Sequence, residues 1–229
     1  MRDPADPAAT PALLKELFDA ERTVRRAHDE LASTPLDTLL PHLESATHEA
    51  LTLDELDEDE SSLRLVRLAG LLGELQGARV VDLLIDILGC DEPEARHAAG
   101  EALSGLAFDR FKEVALGVER ALQRLPTGSP ALAELPYLLA EVPEPGVNKL
   151  LAGFLAHKDP DAAASAIEVL VESGDPSVLP MLEPLAADAR KVQLEDEGGT
   201  EGEATLAELV AEARSILRGG EGSGERGSS

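Results

Sequence analysis

Three stretches of the sequence repeat one pattern. Leu72-Gly73-Glu74-Leu75, Leu139-Ala140-Glu141-Val142 and Leu170-Val171-Glu172-Ser173 each close one helical segment ahead of another, and a fainter copy, Ala102-Leu103-Ser104-Gly105, lies between the first two. Their leucines at 72, 103, 139 and 170 are separated by 31, 36 and 31 residues, inside the range of stacked supersecondary units. A unit of this length cannot bury its own apolar face, so successive units must stack on one another. The fold expected is all-α: an α-solenoid of stacked antiparallel helix pairs with a C-terminal amphipathic capping helix. Such a stack offers an extended recognition surface rather than a catalytic cleft.

Aromatic residues make up only 2% of the chain, with no Trp and a single Tyr, Tyr137. The core must then be built from Leu, Ala and Val, which suits close-packed helices better than a sandwich or barrel. Helix starts are marked by a capping residue followed by proline: Thr10-Pro11, Thr34-Pro35, Ser129-Pro130, Asp159-Pro160 and Asp175-Pro176. There an oxygen can accept from an orphan amide while proline, at the first helical position, loses no hydrogen bond. Thr34 with Asp37, and Asp91 with Glu94, have capping-box spacing.

From Leu13 the apolar residues Leu13, Leu17, Ala20, Val24, Ala27 and Leu31 step by four and three, making one face of a long helix over 11–32. A second helix over 35–51, which Pro41 can bend, completes an N-terminal hairpin. The acidic run Asp54 to Glu60 then leads into the next helix, where acidic groups complement the helix dipole. It fails as a calcium loop, because Ser62 stands where the turn needs Gly and Leu68 where the bidentate Glu belongs.

Paired helices follow over 61–76 and 78–89, 92–107 and 109–125, 130–142 and 145–157, and 160–173 and 176–190. Gly77, Asp109, Pro143-Glu144-Pro145 and Gly174-Asp175 supply the breaks. Pro136, Pro180 and Pro184 fall inside these spans and should kink or shorten them. Residues 193–202 read as a flexible acidic linker, 203–218 as an amphipathic helix that docks on the last pair, and 219–229 as a disordered Gly/Ser/Glu tail. The chain thus divides into a disordered stretch 1–10, the hairpin and acidic loop 11–60, the repeat array 61–192, the linker, the terminal helix and the tail.

The segment Asp91-Glu92-Pro93-Glu94-Ala95-Arg96-His97-Ala98-Ala99-Gly100-Glu101-Ala102-Leu103 resembles a HEAT-like repeat of the type found in phycobilin lyases, with an acidic cap, an Arg, paired alanines and Ala-Leu at fixed offsets. Asp159 to Leu170 is similar, with Ala163 or Ala164 in place of the Arg. The resemblance covers about residues 61–190. It implies helix pairs whose first members face the convex side and second members the concave side. The functions it implies range over scaffolds, adaptors, chaperone-like lyases and a few DNA-repair enzymes.

Charge narrows that range. With 20 Lys and Arg against 45 Asp and Glu, the net charge is −25, which repels phosphate backbones and anionic lipid. No nucleic acid and no membrane are expected as partners. Residues 1–60 hold 5 basic and 16 acidic side chains, and residues 61–130 hold 8 and 10, so a docking face meets least repulsion near the centre. A partner of basic character would instead favour the acidic first third.

Catalytic constellations are not legible. None of His28, His42, His48, His97 and His157 has zincin spacing, and the only cysteine, Cys90, lies beside Asp91, which raises a thiol pKa. No metal and no cofactor are therefore expected, and no enzyme activity. The segment Met1 to Pro7 lacks an apolar export core, so a cytoplasmic protein is expected; the oligomeric state stays open, with a monomer favoured.

The remaining candidate is the concave ridge. On the helix 78–88, Arg79, Asp82 and Asp86 form one polar stripe opposite Val80, Leu84 and Ile87. Glu113, Arg120 and Arg124 on the intervening helix and Lys149 on the next extend it. These seven residues are the candidate partner-binding set of a non-catalytic scaffold or adaptor that holds a protein or peptide. The alternative is a lyase or chaperone-like accessory factor acting on a chromophore-bearing or other client protein.

Overall fold

A computed structural model describes residues 10–52, 58–195 and 201–220; of the segments expected to be disordered, 1–9 and 221–229 lie outside them, as does part of the acidic run, whereas Thr10 begins a helix and residues 219–220 end one. The described residues are mostly helical, with one small two-stranded sheet. In chain order the helices are α1 (Thr10–Ala32), α2 (Leu36–Thr52), α3 (Glu58–Gly73), α4 (Ala78–Leu88), α5 (Pro93–Arg124), α6 (Pro130–Ala140), α7 (Val147–Leu155), α8 (Pro160–Glu172) and the single turn α9 (Leu179–Leu182). The strands β1 (Lys191–Glu195) and β2 (Glu201–Thr205) precede α10 (Leu206–Gly220).

Each helix packs on its near neighbours in sequence. One row runs α3 on α5, α5 on α6 and α6 on α8; a second runs α4 on α5, α5 on α7 and α7 on α8 and α9. Leu72, Leu103, Leu139 and Leu170, the four leucines of the repeat, are all buried between these rows. Small residues set the spacing. Ala95 and Ala99 on α5, and Ala162, Ala163 and Ala166 on α8, are fully buried where helices approach.

Gly117 of α5 is the tightest of these approaches. A Cβ there would run into Val81 Cγ1 of α4 and lie 3.3 Å from Val81 Cβ. Alanine normally favours a helix interior over glycine by about 1 kcal/mol, but here it must push α4 and α5 apart. Gly117→Ala is expected to destabilise the protein by about 1–3 kcal/mol, the usual range for overpacking. Chemical denaturation measures it; a stabilised variant would show that α4 and α5 do not approach this closely.

The expected break at Asp109 is reduced to one residue. Arg110 leaves helical geometry (φ −143°, ψ 49°) inside an otherwise continuous α5, so two expected helices become one kinked helix. Its guanidinium donates to the Leu75 carbonyl (2.8 Å), and Glu113 accepts from the Gly77 amide (2.6 Å). Together they bind the kink to the α3–α4 turn. Asp159 plays the matching part further on. Only 1% exposed, its carboxylate accepts from the amides of Asp161 and Ala162 at the start of α8 and from Gly128 (2.6 Å) in the α5–α6 turn.

Several expectations need correction. The helix expected over 176–190 is a 3-10 turn at Pro176–Val178, then α9, then a second 3-10 turn at Glu183–Leu185. Pro180 and Pro184 lack the amides a continuous helix would need. The flexible linker over 193–202 gives way to paired strands at both ends, with Lys191 opposite Thr205 and Glu195 opposite Glu201; residues 196–200 lie outside the described set. A reciprocal capping box fixes the start of α10 at Leu206 instead of 203: Thr205 N donates to Glu208 (2.8 Å) and Glu208 N donates to Thr205 Oγ1 (3.2 Å). Asp159 and Asp175 cap their helices through their side chains, whereas Ser129 makes no side-chain cap bond. The Thr34 hydroxyl donates back to the Glu30 carbonyl, so it closes α1 instead of opening α2. Neither does Asp91 cap α5, whose N-cap is Glu92.

The terminal helix packs on α8 and on the short turns that stand where the second helix of the last pair was expected. Leu206, Val210, Ala213 and Leu217 of α10 are buried, and the helix lies on α8, α9 and the turn at Glu183–Leu185. At the opposite end α2 covers α3 and α4 through Leu39, Leu43, Thr47 and Ala50. Beyond it, α1 has no buried residue.

Candidate functional site

Five of the seven ridge residues come together, and they face each other. Asp82, only 4% exposed, accepts from Arg79 (3.2 Å) on its own helix and from Arg120 (2.9 Å) on α5. Arg79 also reaches Glu44 of α2 (2.9 Å), a hydrogen bond that holds its guanidinium above the ordinary arginine pKa. Arg120 donates further to the Ala78 carbonyl (3.0 Å); Arg124 pairs with Asp86 and donates to the Asp82 carbonyl (3.0 Å). The acidic groups of α4 thus meet the basic groups of α5, and α2, α4 and α5 are tied into one ladder.

The other two residues lie apart from it. Glu113 serves the α3–α4 turn and Arg110, while Lys149 of α7 pairs with Glu119 (3.4 Å) in solvent. Each of the seven has an intramolecular partner. As a surface, the ridge is a set of neutralised pairs and not a row of free charges.

On the other row of helices a groove of about 650 Å³ runs between the first half of α5 and α6, lined by Arg96, His97, Glu101, Ser104, Tyr137 and Glu141. Ser104 donates to Glu141 (3.3 Å) and the Tyr137 hydroxyl to Glu168 of α8. Partial burial, then the hydrogen bond to Glu168, pushes the Tyr137 pKa up to about 12. Tyr137 is the only tyrosine, so absorbance at 295 nm reads it alone. Its midpoint is expected near 12, compared with about 10 for a free phenol. The folded state favours the neutral phenol, so this contribution to stability is intact below pH 10 and falls away as pH rises from 10 to 12. A midpoint near 10 would remove the Glu168 contact.

Cys90 is half-buried, and its thiol pKa is raised chiefly by that burial; the hydrogen bond to the Glu92 backbone works against the rise, and the charges of Glu92 and Asp91 add to it. The shift has the direction expected from sequence, although burial outweighs the neighbouring acids. Such a thiol stays protonated at neutral pH.

The surface that sequence reasoning passed over is α1. Leu13, Leu14, Leu17, Phe18, Val24 and Leu31 are all exposed, Leu17 by 61%. The helix touches the rest of the molecule mainly near its C-terminal end, where His28 bonds Glu74 in the turn after α3 (2.9 Å) and Ala32 packs against the core. A signal was available in the sequence. Leu13, Ala20 and Ala27, and Leu17, Val24 and Leu31, each recur every seven residues, the two-position repeat of a seam between two helices.

No protein-family model and no curated protein matches the sequence. Two solved structures are similar at low level. One is an engineered protein, 17% identical, with a TM-score of 0.32 over 85% of this chain and 89% of the other. The second is human deoxyhypusine hydroxylase in complex with glycerol, 16% identical, with a TM-score of 0.31 over 88% and 98%. Among the described residues no helix is long and apolar enough to cross a membrane.

Proposed function

We propose that this chain is a HEAT-like α-solenoid that acts as a non-catalytic protein-binding adaptor, and that α1, not the α4–α5 ridge, is the element it binds with. The observation that carries this reading is the bare apolar face of α1, with six large apolar side chains exposed and none buried. Monomeric proteins rarely leave so much contiguous apolar surface uncovered unless it meets a partner. An isolated helix of this length is marginal in water, so a covering partner also supplies the packing that stabilises it. Buried register leucines and packing between sequence neighbours support the solenoid part of the reading.

The ridge is the weaker choice because a ligand there must displace Arg79, Arg120 and Arg124 from carboxylates they already hold. Proximity labelling in the native cell tests the assignment with three versions of the protein. Neighbouring proteins seen with the wild type are expected to vanish with Leu17→Glu plus Val24→Glu and to persist with Arg79→Ala. A set of neighbours lost with Arg79→Ala and unchanged by the α1 variant would return the binding role to the ridge.

A further inference from the structure

We infer that what covers α1 is α1 of a second copy of this chain, paired antiparallel; the inference rests on the reading of α1 as the binding element and names its partner. In heptad terms the seam has Leu17, Val24 and Leu31 at one core position and Leu13, Ala20 and Ala27 at the other. Turned end for end about a centre at residue 22, Leu13 meets Leu31 of the second copy, Leu17 meets Ala27, and Ala20 meets Val24. Each alanine faces a larger residue, and the ends of the seam are closed by leucine pairs. A parallel pair would set Ala20 on Ala20 and Ala27 on Ala27, leaving two gaps, and would bring Glu16 against Glu21 on both sides.

Charges along the seam do not select the orientation, but the placement of the acidic bodies does. The whole chain carries −25, yet α1 holds four basic and five acidic side chains, so this helix can meet its copy with little net repulsion. The rest of the molecule joins α1 at its C-terminal end. A 23-residue helix is about 34 Å long, so antiparallel pairing puts the two acidic bodies at opposite ends. With the centre at residue 22, the attachment points at His28 and Ala32 stand about 18 and 30 Å from those of the second copy, beyond the screening length of about 8 Å at physiological salt. A parallel pair would set the bodies side by side. At the centre Glu21 faces Glu21, but each is paired with Arg25 (3.2 Å) on its own helix, which neutralises the cluster. Glu16 opposite Glu30 is a like-charge contact at each end, and it keeps the association weak.

Sedimentation equilibrium of the purified full chain tests this. A reversible dimer with a Kd on the order of micromolar is expected, in place of the monomer favoured from sequence. Leu17→Glu plus Val24→Glu should weaken it by roughly a hundredfold or more, with far-UV circular dichroism confirming that the other helices remain. Glu30→Lys should tighten it several-fold and make it salt-sensitive, because it turns both Glu16–Glu30 contacts into attractive pairs. Orientation is read by mixing Leu13→Cys and Leu31→Cys chains, each in a Cys90→Ser background. The mixture should form a disulfide-linked dimer that neither variant forms alone.

Self-linking of either variant alone would overturn the antiparallel arrangement. A wild-type chain still monomeric at about 100 µM would overturn the inference, and neighbours that the α1 variant loses in labelling would still leave α1 as the binding element. A dimer that survives the α1 double variant would sink both readings.

Discussion

Cutting the chain after Leu194 is expected to leave a protein that aggregates and has lost most of its thermal stability. The cut removes β2 and α10, and with α10 go the buried side chains of Leu206, Val210 and Leu217. At roughly 1.5–3 kcal/mol for each large side chain taken from water, about 5–9 kcal/mol of apolar burial disappears. That is comparable with the whole stability of an ordinary domain, about 5–15 kcal/mol. The surface left behind on α8 and α9 is apolar and would seek another cover. Thermal unfolding followed by circular dichroism, with size-exclusion chromatography, measures both effects. A truncated chain with unchanged melting temperature and no tendency to associate would show that α10 is an appendage and that α8 closes the stack by itself.

Phe154→Ala is expected to cost about 3–5 kcal/mol, the usual range for truncating a buried aromatic residue. Of the four phenylalanines, Phe18 and Phe108 are exposed and Phe111 is half-buried; Phe154 alone is fully buried. It sits in α7, a nine-residue helix that packs on α5, α6, α8 and α9. A short helix surrounded on several sides has little freedom to collapse into the space vacated, so the cavity term should be near its maximum. Phe154→Leu, which keeps most of the volume, should recover the larger part of the loss. Equal losses for both variants would mean that the ring's shape matters here more than its volume.

The repeat was legible because its physical cause is local. The four leucines, 31–36 residues apart, are all buried between helices that pack on their neighbours in sequence. The turn chemistry was legible where the capping group was a carboxylate, which can only accept and so turns to the orphan amides, as at Asp159 and Asp175. It misled where a hydroxyl had a choice: Thr34 bonds the preceding helix instead of the following one. The hairpin was obscured by composition. Glu195-Asp196-Glu197-Gly198-Gly199 is acidic and glycine-rich enough to read as linker, yet a Gly-Gly pair between two short runs is equally a hairpin signal.

The ridge shows a different limit. Periodicity correctly put Arg79, Asp82 and Asp86 on one stripe, but it cannot say whether a polar stripe faces solvent or a neighbouring helix. The signs of the charges carried that information. Acidic positions on α4 and basic positions on α5, about 38 residues further on, are complementary across one inter-helix contact.

The two ends of the stack are chemically unlike, and this fixes the direction in which such a molecule could be lengthened. After the last pair the chain turns through β1 and β2 and lays α10 across the open layer, so that Glu208, Glu212 and Arg218 face outward. A helix pair added behind α10 would find no complementary apolar layer to sit on. A pair spliced in ahead of α8 would find one on each side, with Asp159 there to take hold of the incoming turn as it now holds Gly128. On the solenoid reading proposed above, a unit inserted ahead of α8 should be tolerated, whereas one appended behind α10, where Ile216 is the exposed large apolar side chain, should not.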